Sequence, residues 1–133
     1  MAEIILIELQ GVKADFIGGL EMGAVPLISP VAMTSLEYAR RLKGFFIRKA
    51  AKDHGTKKLI EGESIADRRV IILDDVTTSG GSAMEAVYEA RNAGATVVLV
   101  LSIVDREEGA GKFFQDQGVE FKSLFRASEF RQA

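Results

Sequence analysis

The sequence contains no cysteine. Disulfides and thiolate metal sites are thereby excluded, and a thiol-free chain suits the cytoplasm. No apolar run approaches the ~20 residues that a membrane helix needs. Residues 1–9 are apolar but carry Glu3 and Glu8 and no basic stretch, so a signal peptide is not expected. Positive charge is not in excess either. The net charge is −2 and the isoelectric point about 5.5, against the basic balance usual in nucleic-acid binders. Internal repeats, low-complexity tracts and linkers are lacking. What is present is an ordinary globular balance of 47% apolar and 27% charged residues over 133 positions. That is one domain, 1–133, long enough to bury a core.

Apolar runs recur along the chain. Ala2–Gln10 reads as a helix end or a strand, with helix favoured, and stops at Gly11. Ala14–Ile17 is a short buried strand that should enter a tight loop at Gly18-Gly19. Ala24–Arg41 has apolar residues at near-helical spacing. Pro26 fits a first turn, whereas Pro30 should kink or interrupt it. Gly44–Arg48 is a strand, and Lys49–Gly62, without hydrophobic period, is a long loop. Val70–Leu73 and Thr96–Val104 are continuous apolar runs, the mark of strands buried on both faces. Between them Ser82–Asn92 is a helix closed by Gly94. A short helix over Gly111–Gln117 and a last strand over Val119–Phe125 complete the pattern. Alternating apolar strands and helices predict a doubly wound α/β fold, a mainly parallel sheet with helices on both faces. Ligands in such sheets bind at the carboxyl ends of the strands.

The most informative stretch begins at such an end. Val70-Ile71-Ile72-Leu73 runs into Asp74 and Asp75, then Val76, Thr77, Thr78, Ser79, Gly80, Gly81 and Ser82, where a helix begins. Glycines let the backbone approach an anion, hydroxyls donate to it, and free N–H groups at a helix start attract it. The adjacent carboxylates suit a ribose diol or a hydrated Mg2+. A plain helix cap would account for Ser82, but not for two acids followed by five small polar or glycine residues. Neither G-x-x-x-x-G-K-[ST] nor G-x-G-x-x-G occurs after a strand, so NTPase and dinucleotide sites are not expected.

A second stretch gathers cations. Arg48, Lys49, Lys52 and His54, the last being the single histidine, fall within seven residues just past a strand end. Such runs are commonly solvated loops. Their position here suits a clamp for a pyrophosphate leaving group, whose developing charge guanidinium and ammonium groups offset.

The 70–82 stretch resembles the signature of type I phosphoribosyltransferases, which bind 5-phosphoribosyl-1-pyrophosphate (PRPP): four apolar residues, two acids and a hydroxyl- and glycine-rich loop. Thr77 stands where many members carry an aliphatic residue. The run Arg48-Lys49-x-x-Lys52-x-His54-Gly55 is similar to the catalytic loop of orotate phosphoribosyltransferases. The resemblance extends from about Asp15 to about Phe125. It implies transfer of the 5-phosphoribosyl group from PRPP to orotate, with Mg2+, giving orotidine 5'-monophosphate and pyrophosphate. It further implies that Asp74 and Asp75 hold the ribose and, directly or through water, the metal, and that Thr78, Ser79, Gly80, Gly81 and Ser82 hold the 5'-phosphate. Gly19, Leu20, Glu21 and Met22 match the family's pyrophosphate loop, with Met22 where many orotate enzymes have lysine. Arg106, in Asp105-Arg106-Glu107-Glu108-Gly109, aligns with an arginine that reads the orotate carboxylate. A planar guanidinium suits that partner. Arg48, Lys49, Lys52 and His54 become pyrophosphate contacts, and a homodimer is implied in which Lys49–Gly62 serves the neighbouring subunit. Family members also carry an N-terminal hood over the base. That segment is expected to be missing here, because the chain is a truncated gene product or because the hood is lost or supplied by another chain. A PRPP-binding regulator, a weak remnant, or a transferase for another base are the competing expectations.

Overall fold

Ile71, Ile72 and Leu73 are each at most 1% exposed, and burying one such side chain stabilises a fold by roughly 1.5–3 kcal/mol. The strand that carries them is therefore central. The computed structural model describes residues 1–21, 23–48 and 60–130. In it this strand, β4 (Arg69–Thr77), lies third from one edge of a six-stranded sheet. The others are β1 (Phe16–Leu20), β2 (Lys43–Ile47), β3 (Ile60–Glu61), β5 (Thr96–Asp105) and β6 (Phe121–Arg126). Their order is β3-β2-β1-β4-β5-β6. All adjacent pairs are parallel except β2 with β3.

Side chains alternate across the sheet, as strand geometry requires. Val70 and Ile72 face one core, shared with α3 (Gly81–Asn92) and with Phe114 of α4 (Ala110–Asp116). Ile71 and Leu73 face the other, built with Ile5, Leu6 and Leu9 from α1 (Ala2–Glu8) and its end, and with Ile28 and Val31 of α2 (Val25–Ser35). The sheet is thus covered on both faces, the α/β arrangement expected. From β1 the chain winds outward to β2, and from β4 it winds the other way to β5 and β6. Strand order reverses between β1 and β4, and a crevice opens at the carboxyl ends of strands at such a point. Among the described residues no helix is long and apolar enough to cross a membrane.

Four expectations need correction. β1 does not yield to a loop at Gly18-Gly19 but runs through both. A Cβ on Gly18 would lie 2.4 Å from the Phe45 ring, and one on Gly19 2.3 Å from the Leu73 carbonyl oxygen, so these glycines serve close strand packing. The loop expected over Lys49–Gly62 contains strand β3, which pairs antiparallel through Phe46 with Glu61 and Ile47 with Ile60. β4 does not stop at Leu73 but carries Asp74 and Asp75 inside it, because β5 pairs with it as far as Thr77 and Asp105. The helix expected over Ala24–Arg41 ends at Ser35, passes into a 3-10 turn at Leu36–Tyr38, and breaks at Ala39, whose φ is 53°. Pro30 sits inside α2 without ending it. The only helical bond it forgoes is to the carbonyl of Pro26, and both prolines are solvent-exposed.

Candidate functional site

The cleft at the carboxyl end of β4 has a volume of about 310 Å3 and is lined by Asp74, Val76, Thr77, the whole of Thr78–Ser82, and Glu85. Two cavities of about 370 and 330 Å3 lie at the opposite, amino ends of the strands, around Asp15, Lys43 and Arg69. Chemistry in this fold class belongs to the carboxyl ends, and the acid pair lies there.

The cradle owes its shape to packing on both sides. Gly80 caps α3 with φ 97°, a left-handed conformation, and a Cβ there would come within 2.8 Å of the Phe113 ring and 3.0 Å of Phe114. Glycine is therefore demanded twice, by backbone and by α4. α3 starts at Gly81, one residue before the expected start, and among the described residues no side chain caps it. Its first N–H groups carry the positive end of the helix dipole toward the cleft. Thr78, Ser79, Gly81 and Ser82 are exposed there and Gly80 is buried. Glu85, one turn into α3, joins the lining. It was not foreseen, because a glutamate in a helix looks like an ordinary surface residue.

Asp74 and Asp75 are both half-buried rather than solvent-facing. Asp74 Oδ2 accepts a hydrogen bond from the Thr77 hydroxyl at 2.7 Å. Burial pushes the Asp74 carboxyl above the usual carboxylate range; the Thr77 bond opposes this and the Asp75 charge adds to it. Asp75 Oδ1 accepts from the Val76 N–H at 2.8 Å. A Cβ on Gly23 would lie 2.6 Å from Asp75 Oδ1, so the turn after β1 reaches the acid pair across the switch point. That turn holds Glu21 and Gly23, whereas Gly19 is buried within β1 and Leu20 is its last residue. Met22 lies outside the described residues.

Arg106 follows β5 and is exposed. Its backbone N–H donates to the Thr77 carbonyl at 2.9 Å, and its guanidinium pairs with Glu108 at 3.0 Å. The segment is folded on itself. Asp105 Oδ1 accepts from the Glu107 N–H at 2.8 Å, and Glu107 adopts φ 61°. Arg48, at the carboxyl end of β2, pairs with Glu61 of β3. Lys49, Lys52 and His54 lie outside the described residues. The structure thus gathers Asp74, Asp75, Thr78–Ser82, Gly23 and Arg106 at one end of the sheet.

Oxygen donors dominate the cleft. Among the described residues no group of three or more Asp, Glu, His or Cys could cage a metal. Two neighbouring carboxylates without a cage fit Mg2+, which keeps water and takes one or two carboxylates beside substrate oxygens.

The phosphoribosyl transferase domain family matches residues 1–116. An orotate phosphoribosyltransferase of Rhodopseudomonas palustris (strain BisB5) is 50% identical over 98% of this chain and 72% of its own length. A phosphoribosyltransferase structure from Corynebacterium diphtheriae superposes with TM-score 0.88 at 30% identity, covering 98% of this chain and 74% of that one. The Mycobacterium tuberculosis orotate phosphoribosyltransferase, solved in complex with PRPP, superposes with TM-score 0.85 at 27% identity, covering 96% and 72%.

Proposed function

The chain belongs to the phosphoribosyl transferase family, and we propose that within it the protein acts as an orotate phosphoribosyltransferase. The observation that carries this reading is the cleft itself: Asp74, near the carboxyl end of the central strand and beside Asp75, set against the hydroxyl- and glycine-rich start of α3. Half identity to an orotate enzyme along nearly the whole chain supports orotate as the base. The M. tuberculosis relative bound to PRPP supports PRPP as the donor.

In this reading the 5'-phosphate of PRPP lies against Thr78–Ser82, where N–H groups and hydroxyls donate to its oxygens. Asp74 and Asp75 accept from the ribose hydroxyls. The bond from C1' to pyrophosphate oxygen breaks as N1 of orotate bonds C1', through an oxocarbenium-like transition state. No covalent nucleophile on the protein is required. Catalysis is then orientation plus charge stabilisation. Arg106 holds the orotate carboxylate through paired N–H donors, exchanging Glu108 for it. The turn at Glu21–Gly23 faces the diphosphate, with Arg48, Lys49, Lys52 and His54 as the cations proposed to offset its charge. Bound Mg2+ would neutralise diphosphate charge beside Asp74 and Asp75. A homodimer, with Lys49–Gly62 serving the neighbouring subunit, belongs to the same proposal.

The test is loss of orotate absorbance on mixing the protein with PRPP and Mg2+, run beside adenine, hypoxanthine and uracil. Turnover of orotate alone is expected. Turnover of another base in its place would overturn the assignment of the base. PRPP binding without turnover of any base would point to a PRPP-binding regulator or an inactive remnant.

A further inference from the structure

Thr77 and Ser102 are 1% and 0% exposed, in strands whose buried positions are otherwise apolar but for Asp105. Burying hydroxyls is costly unless they are bonded, and these two are bonded to each other. Thr77 Oγ1 lies 2.8 Å from Ser102 Oγ and 2.7 Å from Asp74 Oδ2, and Ser102 Oγ lies 2.9 Å from the Val104 carbonyl oxygen. Across the β4–β5 ladder Asp74 is the register partner of Ser102.

Counting protons gives the chain a direction. An ionised carboxylate can only accept, and each hydroxyl has one proton. The Thr77 proton faces both Asp74 Oδ2 and Ser102 Oγ, and the Ser102 proton goes to the Val104 carbonyl oxygen, which turns the Ser102 lone pairs toward Thr77. Ser102 therefore orients Thr77, and Thr77 orients Asp74. β-Branching restricts the Thr77 rotamer, and its carbonyl is already held by the Arg106 N–H. The last link in the series is thus fixed in side chain and backbone alike.

We propose that Thr77 and Ser102 are positioning residues that hold the Asp74 carboxylate in the orientation needed to receive the ribose of PRPP. This rests on the reading of the cleft as a PRPP site. Neither hydroxyl need touch the substrate. Both act through Asp74, and Ser102 acts only through Thr77.

Calorimetric titration with PRPP and Mg2+ tests this on Thr77→Val, Thr77→Ser, Ser102→Ala and the Thr77→Val/Ser102→Ala double variant, with thermal unfolding recorded for each. Thr77→Val is expected to weaken PRPP binding by about tenfold or more, the loss of a hydrogen bond to a charged group. Thr77→Ser should stay within about threefold of wild type, since it keeps the hydroxyl. The double variant should bind no more weakly than Thr77→Val alone, because one pathway is cut twice. The orotate KM at saturating PRPP should stay where it is. Thr77→Val binding PRPP like wild type would overturn the inference. So would Thr77→Ser losing as much as Thr77→Val, or single losses that multiply in the double variant. Should Thr77→Val fail to fold, unchanged PRPP affinity in Ser102→Ala overturns it equally. Wild-type protein that binds no PRPP would instead bring down the functional reading, and this inference with it.

Discussion

Asp74 is where function and stability conflict. Burial raises its carboxyl above the ordinary range, so the folded state holds that proton more tightly than the unfolded chain does. The stability it contributes is complete below the unfolded pKa and is lost as pH rises through the folded one. Asp74→Asn should therefore raise the unfolding temperature at neutral pH, without ligands, by a few degrees. The gain should shrink as pH falls below the ordinary carboxylate range, while PRPP binding is lost throughout. Thermal unfolding across pH reads this, and a gain that grew on acidification would contradict the burial argument. Arg106 poses a different conflict, since Glu108 already occupies its guanidinium at 3.0 Å. Arg106→Ala should raise the orotate KM about ten- to hundredfold while sparing PRPP, because a charge-assisted pair is worth ~1.5–3 kcal/mol. Glu108→Gln should lower the same KM, but by no more than about fivefold, because exposed ion pairs are worth ~0.2–1 kcal/mol. Steady-state kinetics with each substrate varied in turn separates the two effects.

Between elements the sensitive joint is Gly80, wedged between α3 and the rings of α4. Gly80→Ala places a Cβ at a left-handed φ and against Phe113. It should cost about 2–4 kcal/mol in denaturant unfolding, with PRPP affinity falling in the variant that remains folded. The elements that the sequence announced are those whose signals are local. The β-branched run of β4, the long apolar run of β5 and the Gly94 stop of α3 all stand in one place and mean one thing. Where the deciding partner is distant in sequence, the reading failed. Gly18 and Gly19 resemble a turn until Phe45 and the Leu73 carbonyl are seen pressing on them. β3 has two residues and no period, and exists because Phe46 and Ile47 lie beside it. At the site, Asp74 through Ser82 were legible as one uninterrupted motif. Ser102 was not, since one serine in a strand has no meaning until β5 is registered against Asp74. Thr77 stood out in the sequence only as a hydroxyl where many family members carry an aliphatic residue, and its bond to Asp74 shows only in the folded chain.

For the whole molecule, the proposed homodimer makes a mixing experiment decisive. If Lys49–Gly62 serves the neighbouring subunit, a Lys52→Ala chain and an Asp74→Asn/Asp75→Asn chain should each be inactive. Exchanged together they should recover up to about a quarter of wild-type turnover, since half the dimers are mixed and each has one intact site. No recovery after verified exchange would place the segment in its own subunit's site or rule out the dimer. Chelating Mg2+ should abolish the thermal stabilisation that PRPP confers, and unfolding curves with and without chelator would show it. A last consequence lies in the final rung of the β4–β5 ladder, where Thr77 pairs with Asp105 and the next N–H, that of Arg106, donates to the Thr77 carbonyl. In the proposed reading the residue that orients Asp74 and the residue that reads the base share a single peptide hydrogen bond. Any coupling carried through that bond runs both ways. Whatever factor PRPP adds to the affinity for orotate, orotate returns in equal measure to PRPP.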